Sequence, residues 1–206
     1  EGSVFVGSEQ LEPAAGWPYE LVAADLAADP GMTPAELGAT IAVRYGESYN
    51  GAETQSAIDL DSLGGTGGLS EALSDFADAA MTHASTGDYT RMNLQRNTAA
   101  YFYDTNYRDL GTFLDAVAAD ATLSAEIQAA AATALAAYQQ AVIENHSHSS
   151  EGGTGISIYF QPQGVAPSSS YHPSVIDFAA DTAWDEFLAW WEEGPIALPA
   201  EVHGTV

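Results

Sequence analysis

The sequence predicts an α/β fold in which helices outnumber strands, as in a helical segment appended to one side of a sheet. Three observations predict it. The run Val4-Phe5-Val6 is β-forming with no polar residue among its members, as a strand covered on both faces requires, and it stops at Ser8-Glu9. Several later stretches repeat apolar residues at helical spacing, most clearly at Leu69, Leu73, Phe76 and Ala80. A second apolar run, 156–160, returns near the end of the chain as a late strand.

Taken in order, the elements have local causes. After the first strand, Pro13, Gly16 and Pro18 forbid regular structure and enforce a loop carrying Trp17. Residues 19–28 have helical spacing at Tyr19, Val22 and Leu26 and end at Asp29-Pro30-Gly31. Thr33-Pro34-Ala35-Glu36 is a capping box with Pro at the first helical position, and the following helix has an apolar stripe at Leu37, Ile41 and Tyr45. Residues 54–60 suit a short strand, 64–68 a flexible glycine break, and 69–83 a helix. A helix that loses regularity near Asn97 is expected over 89–103. The surest helices are 109–119 and the Ala-rich 124–143, because Ala has the best intrinsic propensity. A polar loop is expected over 145–155 and a last helix over 182–193, with Trp184, Phe187, Leu188 and Trp191 on its inner face.

Composition narrows the function. The chain has 206 residues, of which 46% are hydrophobic, enough for one sizeable core. It carries 29 Asp and Glu against four basic residues, giving a net charge of −25. All four are arginines (Arg44, Arg91, Arg96, Arg108), and there is no Lys. Nucleic acid and anionic membrane surfaces are excluded as partners, since both need Lys and Arg. No run of 18 apolar residues occurs to span a membrane. The acids are spread along the whole chain, which points to a high-salt environment more than to a calcium-binding surface; the location expected is extracellular or at a cell surface. There is no Cys, so no disulfide and no thiolate nucleophile. Glu1-Gly2-Ser3 lacks the basic start of a signal peptide, and a strand so close to the start expects a sheet partner from an upstream segment.

The first candidate site is Ser8-Glu9 with Trp17. A hydroxyl and a carboxyl at a strand end, beside an aromatic, can line a pocket and receive an extended peptide; the plainer reading is a strand terminus and a core tryptophan. His146-Ser147-His148 between Glu144 and Glu151 offers two imidazoles to a metal, but a solvated loop accounts for it more simply. A triad of Ser8, His172 and Asp177 lacks any Gly-x-Ser-x-Gly elbow. Asp59 and Asp61 before the 64–68 glycines suggest calcium, yet the Gly and terminal Glu of a calcium loop are missing.

The run Ser8-Glu9, Pro13, Gly16-Trp17 and Tyr19 resembles a Ser-Glu-Glu, Pro, Gly-Trp-x-Tyr pattern of the clostripain family of cysteine peptidases, with Gln10 in place of the second acid. Ser56-Ala57-Ile58-Asp59-Leu60, Asp109-Leu110 with Phe113-Leu114, and Gly155-Ile156-Ser157-Ile158-Tyr159-Phe160 resemble further elements in the same order. Tyr171, Phe178 and the Trp184 helix resemble its C-terminal end. The resemblance implies a caspase–hemoglobinase-like fold with a mostly parallel sheet and a helix-rich C-terminal region. It makes 1–206 the C-terminal part of one peptidase-like domain: strand, specificity loop and helices over 1–60, a helical region over 61–206. It places Ser8, Glu9, Trp17 and Tyr19 beside a peptide substrate. The catalytic His and Cys would come from an upstream segment or chain, and the substrate would be cut after a basic residue. No cofactor is implied, calcium excepted. The rival reading is a non-catalytic surface or assembly protein that keeps the peptidase fold.

Carboxylate repulsion predicts a salt response. The Debye length falls from about 10 Å at 0.1 M to about 3 Å at 1 M, so the melting temperature should climb between low and molar KCl. A flat profile that low calcium alone raises would show specific cation binding instead.

Overall fold

The computed structural model describes residues 3–50, 53–147 and 152–195. Eight helices and five strands form among them. β1 (Val4–Gly7) leads through the Trp17 loop to α1 (Tyr19–Ala28) and α2 (Pro34–Ser48). Thr33 caps α2 by accepting from the Glu36 amide at 3.2 Å while Glu36 Oε2 accepts from the Thr33 amide at 2.8 Å. β2 (Gln55–Asp59) follows, then α3 (Leu69–His83) and α4 (Thr86–Thr98). A second capping box, Ser85 with Asp88, starts α4 earlier than its apolar spacing predicts. β3 (Tyr107–Asp109) and α5 (Leu110–Ala119) meet at Asp109, and α6 (Ala125–Ala141) runs into β4 (Val142–His146). β5 (Ser157–Tyr159), α7 (Asp177–Asp181) and α8 (Trp184–Glu193) complete the order.

The sheets depart from expectation. β1, β2 and β4 form one sheet in that order, β3 and β5 a second, and every pair among the described residues is antiparallel. A mostly parallel sheet is therefore not what these strands make. β4 lies where a helix end and a loop were expected: Val142 and Ile143 are β-branched, and pairing with β2 outweighs continuation of the Ala-rich helix. β1 is also not covered on both faces. It is an edge strand, and its Phe5 ring is 57% exposed.

The first sheet has two different faces. Val4, Val6 and Ala57 meet α2, whose buried residues are Gly38, Ala42, Tyr45 and Gly46. The buried face thus keeps Tyr45 of the expected stripe but otherwise consists of small residues, offset from Leu37 and Ile41. A Cβ at Gly38 would lie 2.8 Å from Val4 Cγ1, and one at Gly46 would overlap the His146 ring. Only glycine lets the helix backbone come so close. The opposite face presents Phe5, Gly7, Ser56 and Ile58.

The main core lies between α3, α5, α6 and α8. The inner face of α8 is as predicted, with Trp184, Phe187, Leu188 and Trp191 fully buried. Phe160 stands at its centre, with ring centroids 5.1 Å from Phe113, 5.4 Å from Trp184 and 5.0 Å from Trp191. The Phe160 carbonyl accepts from Arg96 Nε at 3.0 Å and Nη2 at 2.6 Å. Trp184→Ala should cost about 3–5 kcal/mol in urea unfolding, because it removes a fully buried indole whose Nε1 donates to the Tyr159 carbonyl at 2.9 Å.

Candidate functional site

The chain leaves β1 at Gly7, and the next two residues turn toward the second sheet. Ser8 Oγ lies 2.7 Å from Thr54 Oγ1, and the Gln10 amide donates to both oxygens at 3.1 and 3.2 Å. These partners tie down the start of the Trp17 loop. None of them is a base, so the hydroxyl is a structural and binding group and not an activated nucleophile.

Glu9 reaches across to the segment before β5. Its Oε2 accepts from the Gly155 amide at 3.0 Å, while Oε1 is buried without a hydrogen-bond partner. Gly155 has φ +130°, a conformation that L side chains rarely adopt, and its carbonyl accepts from Ser56 Oγ at 2.6 Å. The family-like Gly before Ser157 therefore has a physical reason: it links β2 on one side to Glu9 on the other.

Beside Glu9 lies Asp109, fully buried. Its Oδ1 caps α5 by accepting from the Thr112 amide at 2.6 Å, and its Oδ2 accepts from the Thr154 amide at 2.6 Å. Thr154 Oγ1 reaches both oxygens at 2.8 and 2.9 Å. The Tyr138 hydroxyl accepts from the Ile156 amide at 3.2 Å and lies 2.8 Å from Thr154 Oγ1. Burial first, then the neighbouring Asp109 charge, pushes the Glu9 carboxyl up to about 9, against the lowering effect of the Gly155 amide. Glu9 is thus a neutral acid at pH 7. Burial also pushes the Tyr138 phenol upward, with Asp109 adding to it.

A cavity of about 470 Å³ opens next to this pair. Phe5, Ile58, Leu73, Leu110, Tyr159 and Phe178 line it, together with Ser8 and Glu9. Trp17 and Tyr19 do not. Trp17 Nε1 donates to Glu12 Oε2 at 2.8 Å, and its ring sits 6.4 Å from both Tyr19 and the Tyr45 ring of α2. Tyr19 is 71% exposed. The four sequence-derived candidates thus fall into two places: Ser8 and Glu9 at the cavity, Trp17 and Tyr19 on the α2 flank. Asp109, Thr154 and Thr54, which organise the strand end, were not singled out by sequence as site residues. Asp109 carried one signal, an acid before an apolar helical run, which marks a cap.

The remaining candidates have structural roles. His146 ends β4 and packs on Gly46 of α2; His148 and Glu151 lie outside the described residues. His172 Nδ1 pairs with Ser174 Oγ at 2.9 Å and accepts from the Ser174 amide, not from Ser8. Asp59 accepts from the Asp61 amide and Ser62 Oγ, closing the turn after β2. Among the described residues no three His, Asp or Glu side chains converge to hold a metal.

The raised Glu9 carboxyl predicts a pH dependence with a definite sign. The folded state holds this proton more tightly than the unfolded chain does, so the associated stability is complete below about pH 4.5 and is lost as pH rises toward 9. Glu9→Gln keeps the neutral shape and should flatten the fall of melting temperature between pH 5 and 9. Parallel wild-type and variant curves over that range would show that Glu9 ionises freely.

Comparisons place these features in a family. No curated protein matches the chain. Among solved structures, the inactive zymogen C11 protease from Parabacteroides distasonis matches with a TM-score of 0.56 at 14% identity, a likeness of fold. The match covers 90% of this chain and 51% of that one, so the chain spans about half the length of that protease. The sequence model of the clostripain family (Peptidase_C11) matches residues 1–191. With a family match over nearly its whole length, the chain belongs to the clostripain family of peptidases.

Proposed function

We propose that the chain is the C-terminal portion of a clostripain-like cysteine endopeptidase, with the nucleophile and its base supplied by an upstream segment. One observation carries this reading: a family match over 1–191 in a chain with no Cys that spans about half of a related protease. The chemistry of this family of cysteine peptidases needs a thiolate, so this portion contributes fold and substrate binding. The open edge of β1 is the place where an upstream strand would extend the sheet, and a parallel arrangement would enter with that strand. Ser8 and Glu9, at the carboxyl end of β1, would then border the substrate cleft, as ligands in open α/β sheets lie at strand carboxyl ends. Trp17 and Tyr19 would flank it from the α2 side. The substrate is a peptide or protein, and the setting is extracellular or cell-surface at high salt.

A second reading, a non-catalytic surface or assembly protein, is favoured by the same lack of Cys and by the unactivated Ser8 hydroxyl. The test compares the intact gene product with the chain alone. The intact protein should cleave an Arg-reporter peptide and be labelled by a thiol-directed acyloxymethylketone, and the chain alone should do neither. Trp17→Ala in the intact protein should raise KM or lower kcat more than it lowers stability. An intact product that contains no Cys, or labelling of the chain alone, would overturn the proposal.

A further inference from the structure

Two of the chain's four arginines serve one short segment. Arg96 and Arg108 are buried, and among the described residues neither forms an ion pair, although the chain carries 29 Asp and Glu. A buried charge without a counter-charge is costly unless other polar groups replace its water. Arg108 Nη1 donates to the Ala99 carbonyl at 3.3 Å, and Arg96 Nη2 donates to the Thr105 carbonyl at 3.2 Å. These two bonds hold the segment 99–106 at its ends. Inside it, the Ala100 carbonyl accepts from the Asp109 amide at 2.8 Å. The Asp104 carbonyl accepts from the Tyr107 amide at 3.0 Å, and its carboxylate accepts from the Asn106 amide at 2.9 Å. The segment is thus braced from several sides.

What it holds out to solvent is aromatic. Tyr101 is 54% exposed, Phe102 6% and Tyr103 79%. This out-in-out alternation is that of an extended chain. Tyr101 pairs with Arg108 as an isolated bridge, and the Arg108 guanidinium lies 4.8 Å from the Tyr101 ring centre, backing that ring. The Tyr103 amide donates to Gln10 Oε1 at 3.2 Å, the same oxygen that accepts from the Leu11 amide at 2.9 Å. On the inner side, a Cβ added to Gly153 would meet both the Phe102 ring and Glu9 Oε2, so these two side chains lie against one glycine.

We propose that Tyr101 and Tyr103 form a specificity shelf of the peptidase, which takes an aromatic or aliphatic side chain of the peptide substrate near the residue that is cut. The shelf deepens the peptidase reading and rests on it. Tyrosine offers wide, stiff contact area at low entropic cost, and rings on a braced segment keep their place when a peptide arrives. Two observations select the occupant. The Tyr101 ring is already engaged by Arg108, so a cationic side chain gains little there. An acidic side chain would meet a chain of net charge −25, with Asp104 beside Tyr103 in sequence. An uncharged apolar side chain meets neither obstacle. The tie through Gln10, whose amide donates to Ser8 Oγ, makes the shelf continuous with the Ser8-Glu9 end of β1.

The test uses the intact gene product and quenched peptides with a single Arg, in which each of the three positions on either side of it is Phe, Leu, Ser or Asp in turn. At one position Phe and Leu should exceed Ser and Asp by about 10-fold or more in kcat/KM, chiefly through KM. Tyr101→Ser and Tyr103→Ser should each cut that preference to about 2-fold while leaving the Ser peptide unchanged, and Tyr103→Phe should retain it. An unchanged preference in either Ser variant, an equal loss on every peptide, or a wild-type enzyme indifferent to all four residues would overturn the shelf. So would a fall in melting temperature of about 5 °C or more on Tyr103→Ser in the intact protein but not in the chain alone, since the ring would then be covered by another part of the protein. An intact product that cleaves none of the peptides would instead overturn the peptidase reading itself.

Discussion

The buried Asp109 carboxylate is the interaction on which the rest of the structure depends. A carboxylate without solvent is tolerated only if hydrogen bonds to its charged form replace the lost water. Here the amides of Thr112 and Thr154 and the Thr154 hydroxyl do so. The result is more than compensation. One side chain fixes the start of α5, holds the segment that leads into β5, and faces Glu9 from the end of β1. It joins the two small sheets, neither of which could bury a core by itself. Glu9 then bears the cost. A second charge beside Asp109 would be unpaired, so that position holds a protonated acid instead.

Much of the fold could be read from the sequence wherever local chemistry and tertiary need agree. The Thr33 box, the stripe from Leu69 to Ala80 and the Trp184 face are of this kind. Reading failed where a long-range partner decided the outcome. Val142 and Ile143 continue an alanine-rich helix as far as propensity can tell; β2, far off in sequence, takes them into a strand. The buried face of α2 was read correctly at Tyr45 and missed at Gly38 and Gly46, which carry no hydrophobic signal and whose value lies in what they leave empty. A strand covered on both faces was inferred from an apolar run alone, and an edge strand with one face on a cavity has the same composition as a central one.

The candidate site shows the same division. Ser8 and Glu9 stand at a strand end, and the structure brings them to the cavity. Trp17 and Tyr19, close to them in sequence, are carried by the loop to the α2 flank, where Tyr45 receives the indole. The residue that organises the strand end, Asp109, is a hundred positions from Glu9, and its capping signal disclosed only the nearer half of what it does. A motif spaced along the chain marks which residues matter together, while hydrogen bonding decides which of them meet.

The four arginines have a consequence for the protein's durability. Arg96 and Arg108 are buried, bonded to main-chain carbonyls, and the guanidinium of Arg96 lies 5.5 Å from the Phe160 ring centre. Burial and the nearby Arg108 lower the Arg96 guanidinium to about 10, which still leaves it charged at neutral pH. Arg44 and Arg91 sit within helices and are gripped by Asp25 and Asp120. With no Lys, the folded chain displays no extended, unengaged basic residue among those described. An endopeptidase that requires such a residue in extended form would find nothing to cut on this surface. If an enzyme containing this chain has that preference, this part of its own surface is invisible to it, and crowding many copies together would not expose this part to mutual digestion.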